Sequence, residues 1–112
     1  MTKSWPVRVL LDESIPVDFA RELADLDPRT VIGLGWAGLK NGALLREAAE
    51  QFDVLVTMDK NLRFQQNLAA HEIGVVLIRA HSNRIDDLRP LVPQIREAVA
   101  ASEPGKIRVV GA

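Results

Sequence analysis

Asp53-Val54-Leu55-Val56-Thr57-Met58-Asp59-Lys60-Asn61 is the stretch on which the fold turns. Residues 54–58 form a short apolar run, rich in β-branched side chains, after a helix-like segment. Such a run reads as a strand buried in a parallel sheet covered on both faces. It stops at a carboxylate, Asp59, followed by polar Lys60 and Asn61. The chain does the same near its start, where Val7-Arg8-Val9-Leu10-Leu11 runs into Asp12 and Glu13. In open α/β sheets the functional crevice lies outside the carboxyl ends of the strands. If these two strands are parallel neighbours, Asp12, Glu13 and Asp59 converge there.

Working outward, strand one covers residues 7–11, and Ser14 offers a helix N-cap with Pro16 just inside the first turn. Phe19, Leu23 and Leu26 recur at helical spacing until Asp27-Pro28 ends the helix. A short second strand is expected over 30–32, then an irregular loop marked by Gly33, Gly35 and Gly38 and carrying Trp36 and Lys40. Asn41 caps the next helix, with the stripe Leu44, Leu45, Ala48, Ala49 and Phe52. After the strand over 54–58 a helix is expected over 62–71, and a fourth strand over 75–78, ending in Arg79, His81, Ser82 and Asn83. Leu88, Leu91, Val92, Ile95 and Val99 form a helical stripe that Pro90 and Pro93 should bend or divide. The turn at Pro104-Gly105 leads to a last strand over 106–110. The alternation predicts an α/β fold with a mostly parallel sheet of about five strands and right-handed crossovers.

At 112 residues, one domain spanning 1–112 is expected. A net charge of −1 gives no global argument for nucleic acid or membrane, so either would need a local patch. The absence of cysteine excludes disulfides and thiolate metal sites. Residues 1–6 are too short and polar for a signal peptide, and no apolar run approaches membrane-spanning length. A cytoplasmic protein without membrane contact is expected.

Grouped carboxylates repel one another unless something offsets their charge. Mg²⁺ or Mn²⁺ does so, held by one or two carboxylates with water and substrate phosphate. Such an ion polarises a phosphoryl oxygen and acidifies a water, which suits phosphodiester hydrolysis. The other reading is that each acid caps the helix after its strand, at the positive end of the helix dipole. Asn41 and Asn61 are neutral oxygen donors able to complete a metal's outer shell, although Asn41 also serves as a cap. Lys40, Lys60, Arg63, Arg79, His81 and Arg84 follow strand ends or helix starts on the same expected edge, where they would suit an RNA phosphate backbone. Taken singly, each is more readily read as an ordinary solvated charge. Trp5 and Trp36 are isolated aromatics, open to core, subunit-contact or base-stacking roles.

Three segments together carry a family resemblance: Val-Leu-Leu-Asp-Glu-Ser-Ile-Pro, Gly-Trp-Ala-Gly-Leu-Lys-Asn-Gly-Ala-Leu-Leu and Phe-Asp-Val-Leu-Val-Thr-Met-Asp-Lys-Asn-Leu. Over residues 7–99 the chain resembles the small bacterial PIN-like family of predicted toxin nucleases of toxin–antitoxin systems. The resemblance implies a PIN-like three-layer α/β/α sandwich and Mg²⁺- or Mn²⁺-dependent RNA hydrolysis. It further implies an antitoxin protein as partner, with a homodimer also allowed. Asp12 and Glu13 would be the acids after strand one and Asp59 the acid after strand three. Asn41 and Asn61 stand where many relatives carry Asp, which weakens the charge available to a metal.

Two other readings follow. A catalytically silent PIN-like module would bind RNA or a protein without cutting. A phosphoacceptor receiver domain shares the acid pair after strand one and the lone acid after strand three. It lacks the expected Pro and Gly after that acid, and Lys106 precedes the last strand rather than following it.

Overall fold

A computed structural model describes residues 7–39, 41–61 and 70–111. β1 (Val9–Leu11), β3 (Val54–Thr57) and β4 (Gly74–Arg79) are the apolar runs, buried but for Arg79 at the end of β4. Covering both faces of a strand demands this continuous apolar sequence. The two-residue β2 (Arg29–Thr30) and β5 (Ile107–Gly111) are more exposed and form the edges. The sheet is entirely parallel, in the order β2-β1-β3-β4-β5. Leu11 pairs with Val56, Val56 with Val76, and Val76 with Arg108, so these residues share one face.

Two apolar clusters sandwich the sheet. On the first face Val9, Leu11, Val54, Val56, Val76, Ile78 and Val110 pack under Phe19 and Leu23 and under Leu88, Val92, Ile95 and Val99. On the second, Leu10, Leu55 and Val75 pack under Leu44, Leu45, Ala48 and Phe52 of α1 (Asn41–Gln51) and its end. Trp36 joins this second cluster and meets Phe52 edge-on at 6.2 Å, which gives it a packing role. The helix expected over 62–71 lies almost wholly outside the described residues.

Several elements depart from the sequence expectation. Residues 17–26 form a 3-10 helix (Val17–Leu26) interrupted at Leu23, where φ is −116° and ψ 24°. Ala20, Leu23 and Leu26 recur every third residue, the period of the tighter helix. Ser14 does not cap it, because Pro16 occupies the cap position. β2 stops at Thr30, where the Thr30 hydroxyl accepts the Gly33 N–H at 2.9 Å and folds the chain into a turn. β3 likewise ends at Thr57, one residue short of Met58. The two prolines divide the last helical region as expected. α2 (Ile85–Leu88) passes through a 3-10 turn (Arg89–Leu91) into α3 (Val92–Ala101).

The crossovers do not all have one hand. From β1 to β2 the chain moves toward one side of the sheet across the first face. From β2 to β3 it moves the other way across the second face, which is the same hand. From β4 to β5 it continues in that second direction, yet α2 and α3 lie on the first face. This crossing has the opposite hand, and by the strong general preference for right-handed βαβ units it is the left-handed one. Its physical reason is coverage. Val76, Ile78 and Val110 face the first side, where Leu88, Val92, Ile95 and Val99 of α2 and α3 pack with them. At the end of β5, Gly111 has φ +96°, and a Cβ would lie 2.1 Å from the Arg79 carbonyl oxygen, so glycine alone fits. No described helix is long and apolar enough to cross a membrane.

Candidate functional site

The chain leaves β1 toward β2 on one side and β3 toward β4 on the other. The boundary between β1 and β3 is therefore the topological switch point, where the carboxyl ends of open α/β sheets leave a crevice. Asp12 extends the ladder one residue past β1, its N–H donating to the Val56 carbonyl at 2.9 Å. Continuing the Leu11–Val56 register places Asp12 opposite Thr57, both on the face of Leu10 and Leu55.

Two hydroxyls bind the strand ends together. Asp12 Oδ2 accepts from Ser14 Oγ at 2.7 Å, from Thr57 Oγ1 at 2.9 Å and from the Ser14 N–H at 3.4 Å. Ser14 Oγ in turn accepts the Met58 N–H at 3.0 Å, and Thr57 Oγ1 accepts the Asp59 N–H at 3.0 Å. Each hydroxyl has one proton, and both protons are committed to Asp12. The 3.5 Å approach of Ser14 Oγ to Thr57 Oγ1 is then a contact between two acceptors. The result is a double clip, with Ser14 reaching from the β1 loop to the β3 backbone and Thr57 reaching back to the β1 acid. Asn83 extends it, donating to the Ser14 carbonyl at 3.4 Å. Asp12 Oδ2 is fully engaged, and Oδ1 accepts no hydrogen bond among the described residues.

Asp59 is half-buried just past β3, and its Oδ1 accepts the Asn61 N–H at 3.0 Å in a local turn. Glu13 is exposed beside Asp12. The structure joins Asp12 to Asp59 through Thr57, but among the described residues no three His, Asp or Glu side chains gather into an ion-holding group. Asn61, Lys60, Arg79, His81 and Arg84 are exposed on this edge. Lys40, Arg63 and the side chain of Asn41 lie outside the described residues, as does Trp5.

The ends of β3 and β4 flank a cleft of about 710 Å³ lined by Asp59, Lys60 and Asn61 on one strand end and by Arg79, Ala80 and His81 on the other. Arg84, Asp12 and Glu13 stand outside its lining. Among the described residues Lys60, Arg79 and Arg84 make no ion pair. Elsewhere Arg8 pairs with Asp53, Arg89 with Glu22, Arg96 with Asp25 and Lys106 with Glu103.

Sequence reasoning located Asp12 and Asp59 but missed the clip. Ser14 reads as a helix cap, and its true partner, the Met58 amide, is 44 residues away. The available signal was the spacing: Asp12-x-Ser14 and Thr57-x-Asp59 each place a short polar side chain two residues from another. That is the reach of local side-chain turns. No protein-family model, no curated protein and no solved structure matches this chain.

Proposed function

We propose that this protein is a metal-dependent ribonuclease of the PIN-like kind, the toxin of a cytoplasmic toxin–antitoxin pair. The observation that carries the reading is the double clip at the switch point. It orients Asp12 through one oxygen and ties it through Thr57 to the Asp59 amide, at an edge whose cations Lys60 and Arg79 have no ion-pair partner among the described residues. A structural cap would not need two hydroxyls and an opposing strand to fix one carboxylate.

The donor set fits a hard ion. Mg²⁺ and Mn²⁺ take oxygen ligands and are held by as few as one or two carboxylates together with water and phosphate. Asp12 and Asp59 would hold the ion, with Glu13 and Asn61 at its periphery. When bound, it supplies positive charge to a phosphoryl oxygen and acidifies a nearby water. The chain's own part is positioning. Ser14 and Thr57 fix Asp12, and the Asp59–Asn61 turn fixes the second acid. Lys60, Arg79 and His81 offer charge and hydrogen-bond donors to the phosphates on either side.

The test is cleavage of single-stranded RNA across a range of Mn²⁺ by wild type, Asp59→Asn and Asn61→Asp. Wild type cuts, Asp59→Asn does not, and the added charge of Asn61→Asp lowers the Mn²⁺ needed for half-maximal cleavage. Wild type that cuts nothing at any Mn²⁺ concentration overturns the reading. A binding module without cleavage is the second reading, favoured by Asn41 and Asn61, which offer neutral oxygens in place of carboxylates. The receiver reading shares the strand order 2-1-3-4-5. Its lysine is misplaced, since Lys106 precedes β5 and pairs with Glu103 at the opposite edge.

A further inference from the structure

The cleft between the ends of β3 and β4 is lined by apolar and by charged side chains. Met58 and Ala80 pack against the first-face apolar cluster that includes Ile78, and these three bring thioether and hydrocarbon surface to the lining. Lys60, Arg79 and His81, which also line it, are exposed and bring donors and positive charge. A volume of about 710 Å³ falls within the range of small-ligand sites. Apolar surface beside cations that make no ion pair among the described residues suits a ligand that joins a flat apolar ring to an anion.

We propose that this cleft is a subsite for one nucleotide unit, base against Met58 and Ala80, phosphate at Arg79 and Lys60. This rests on the ribonuclease reading and adds to it a specific place for one base beside the reacting phosphate. Polarisable sulfur is suited to a ring face. The guanidinium of Arg79 can take a phosphate through two parallel hydrogen bonds, which gives orientation as well as attraction. His81 adds a further donor at the same strand end. The subsite needs no metal, because every group in it belongs to the chain.

Calorimetric titration of the full chain in EDTA tests this, with the four nucleoside 5′-monophosphates, a nucleoside without phosphate, and inorganic phosphate as separate probes. At least one monophosphate binds saturably, about tenfold or more tighter than either nucleoside or phosphate alone, and Arg79→Ala weakens it by about tenfold or more. A single-stranded trinucleotide binding tighter than the monomer identifies the occupant as a unit of an RNA chain. Equal affinity identifies a free nucleotide, and both support the subsite. Phosphate binding as tightly as the nucleotide overturns it, leaving a plain anion site. Failure of every monophosphate to bind overturns it too. Arg79 is exposed, and an unchanged melting temperature of Arg79→Ala confirms that lost binding is local. Wild type that binds nucleotide but never cuts RNA keeps the subsite and removes the nuclease. Cutting without nucleotide binding does the reverse.

Discussion

The two ends of the central sheet hold their acids in opposite ways. At the amino end, Asp53 accepts from the Arg8 backbone N–H at 2.8 Å and from its guanidinium at 3.3 Å, so the charge is answered by a cation on the neighbouring strand. At the carboxyl end Asp12 also accepts three hydrogen bonds, but from two hydroxyl groups and an amide. Both acids are ordered, and among the described residues only Asp53 of the two has an ion-pair partner. Hydroxyl donors fix a carboxylate in place without cancelling its charge, which is what holding a cation requires. Under the proposed function the amino end serves cohesion and the carboxyl end a ligand, as the switch-point rule leads one to expect.

The sharpest way to break this comparison is to remove each acid in turn. Asp12→Asn keeps an oxygen for the Ser14 and Thr57 hydroxyls and changes unfolding free energy by less than about 1 kcal/mol. It lowers Mn²⁺-dependent RNA cleavage by about a hundredfold or more, beyond the usual loss for a residue that merely supports a ligand. Asp53→Ala does the reverse. It loses about 1 kcal/mol in urea unfolding, limited by the exposure of the Arg8 guanidinium, and leaves cleavage unchanged. If Asp53→Ala also abolished cleavage with its fold intact, the division between the two ends would fail.

Thr57 sharpens the same contrast from inside the clip. Its hydroxyl, only 1 % exposed, gives to Asp12 and takes from the Asp59 amide. Thr57→Val preserves shape but takes a donor from Asp12 and an acceptor from the Asp59 amide, costing about 1–3 kcal/mol of stability. Loss of support for both acids weakens Mn²⁺ binding by about 10–100-fold in calorimetric titration. Thr57→Ser, which keeps the hydroxyl, restores the affinity. Were the serine variant as weak as the valine one, Thr57 would act through packing of its methyl group instead.

How far the sequence could lead depended on whether the deciding partner was local. β1, β3 and β4 announce themselves as apolar runs because both of their faces are covered, and Asp12 and Asp59 follow from where those runs stop. The bend at Pro90 and Pro93 follows from proline chemistry alone. The left hand of the last crossover was not legible. The stripe Leu88, Val92, Ile95 and Val99 demands burial but does not say under which face of the sheet. Ser14 is the same problem in miniature, since a serine before a helix has a local use, and only the fold brings it to the Met58 amide. Arg8 and Asp53, 45 residues apart, could not be matched from their sequence context.

The smallest expected effect tests whether the left-handed crossover carries its own electrostatic seam. α3 lies beside the 17–26 segment because of that crossover, and the Arg96 guanidinium reaches Asp25 Oδ1 at 3.0 Å across the contact. Hydrogen bonding from Arg96 holds the Asp25 carboxyl below its ordinary value. A group whose folded-state pKa lies below its unfolded value stabilises the protein above the unfolded pKa. That contribution fades as the pH falls through the folded one. Wild type should therefore be slightly more stable than Asp25→Asn at neutral pH, and the gap should close through the acidic carboxylate range. Both side chains are largely solvated, so added salt should shrink the gap as well. Urea unfolding of the two proteins from neutral pH into the acid limb measures this. A difference that persisted in acid and in high salt would make the seam one of packing, and Asp25 would then join neither the neutralised acids nor the ligand-ready ones.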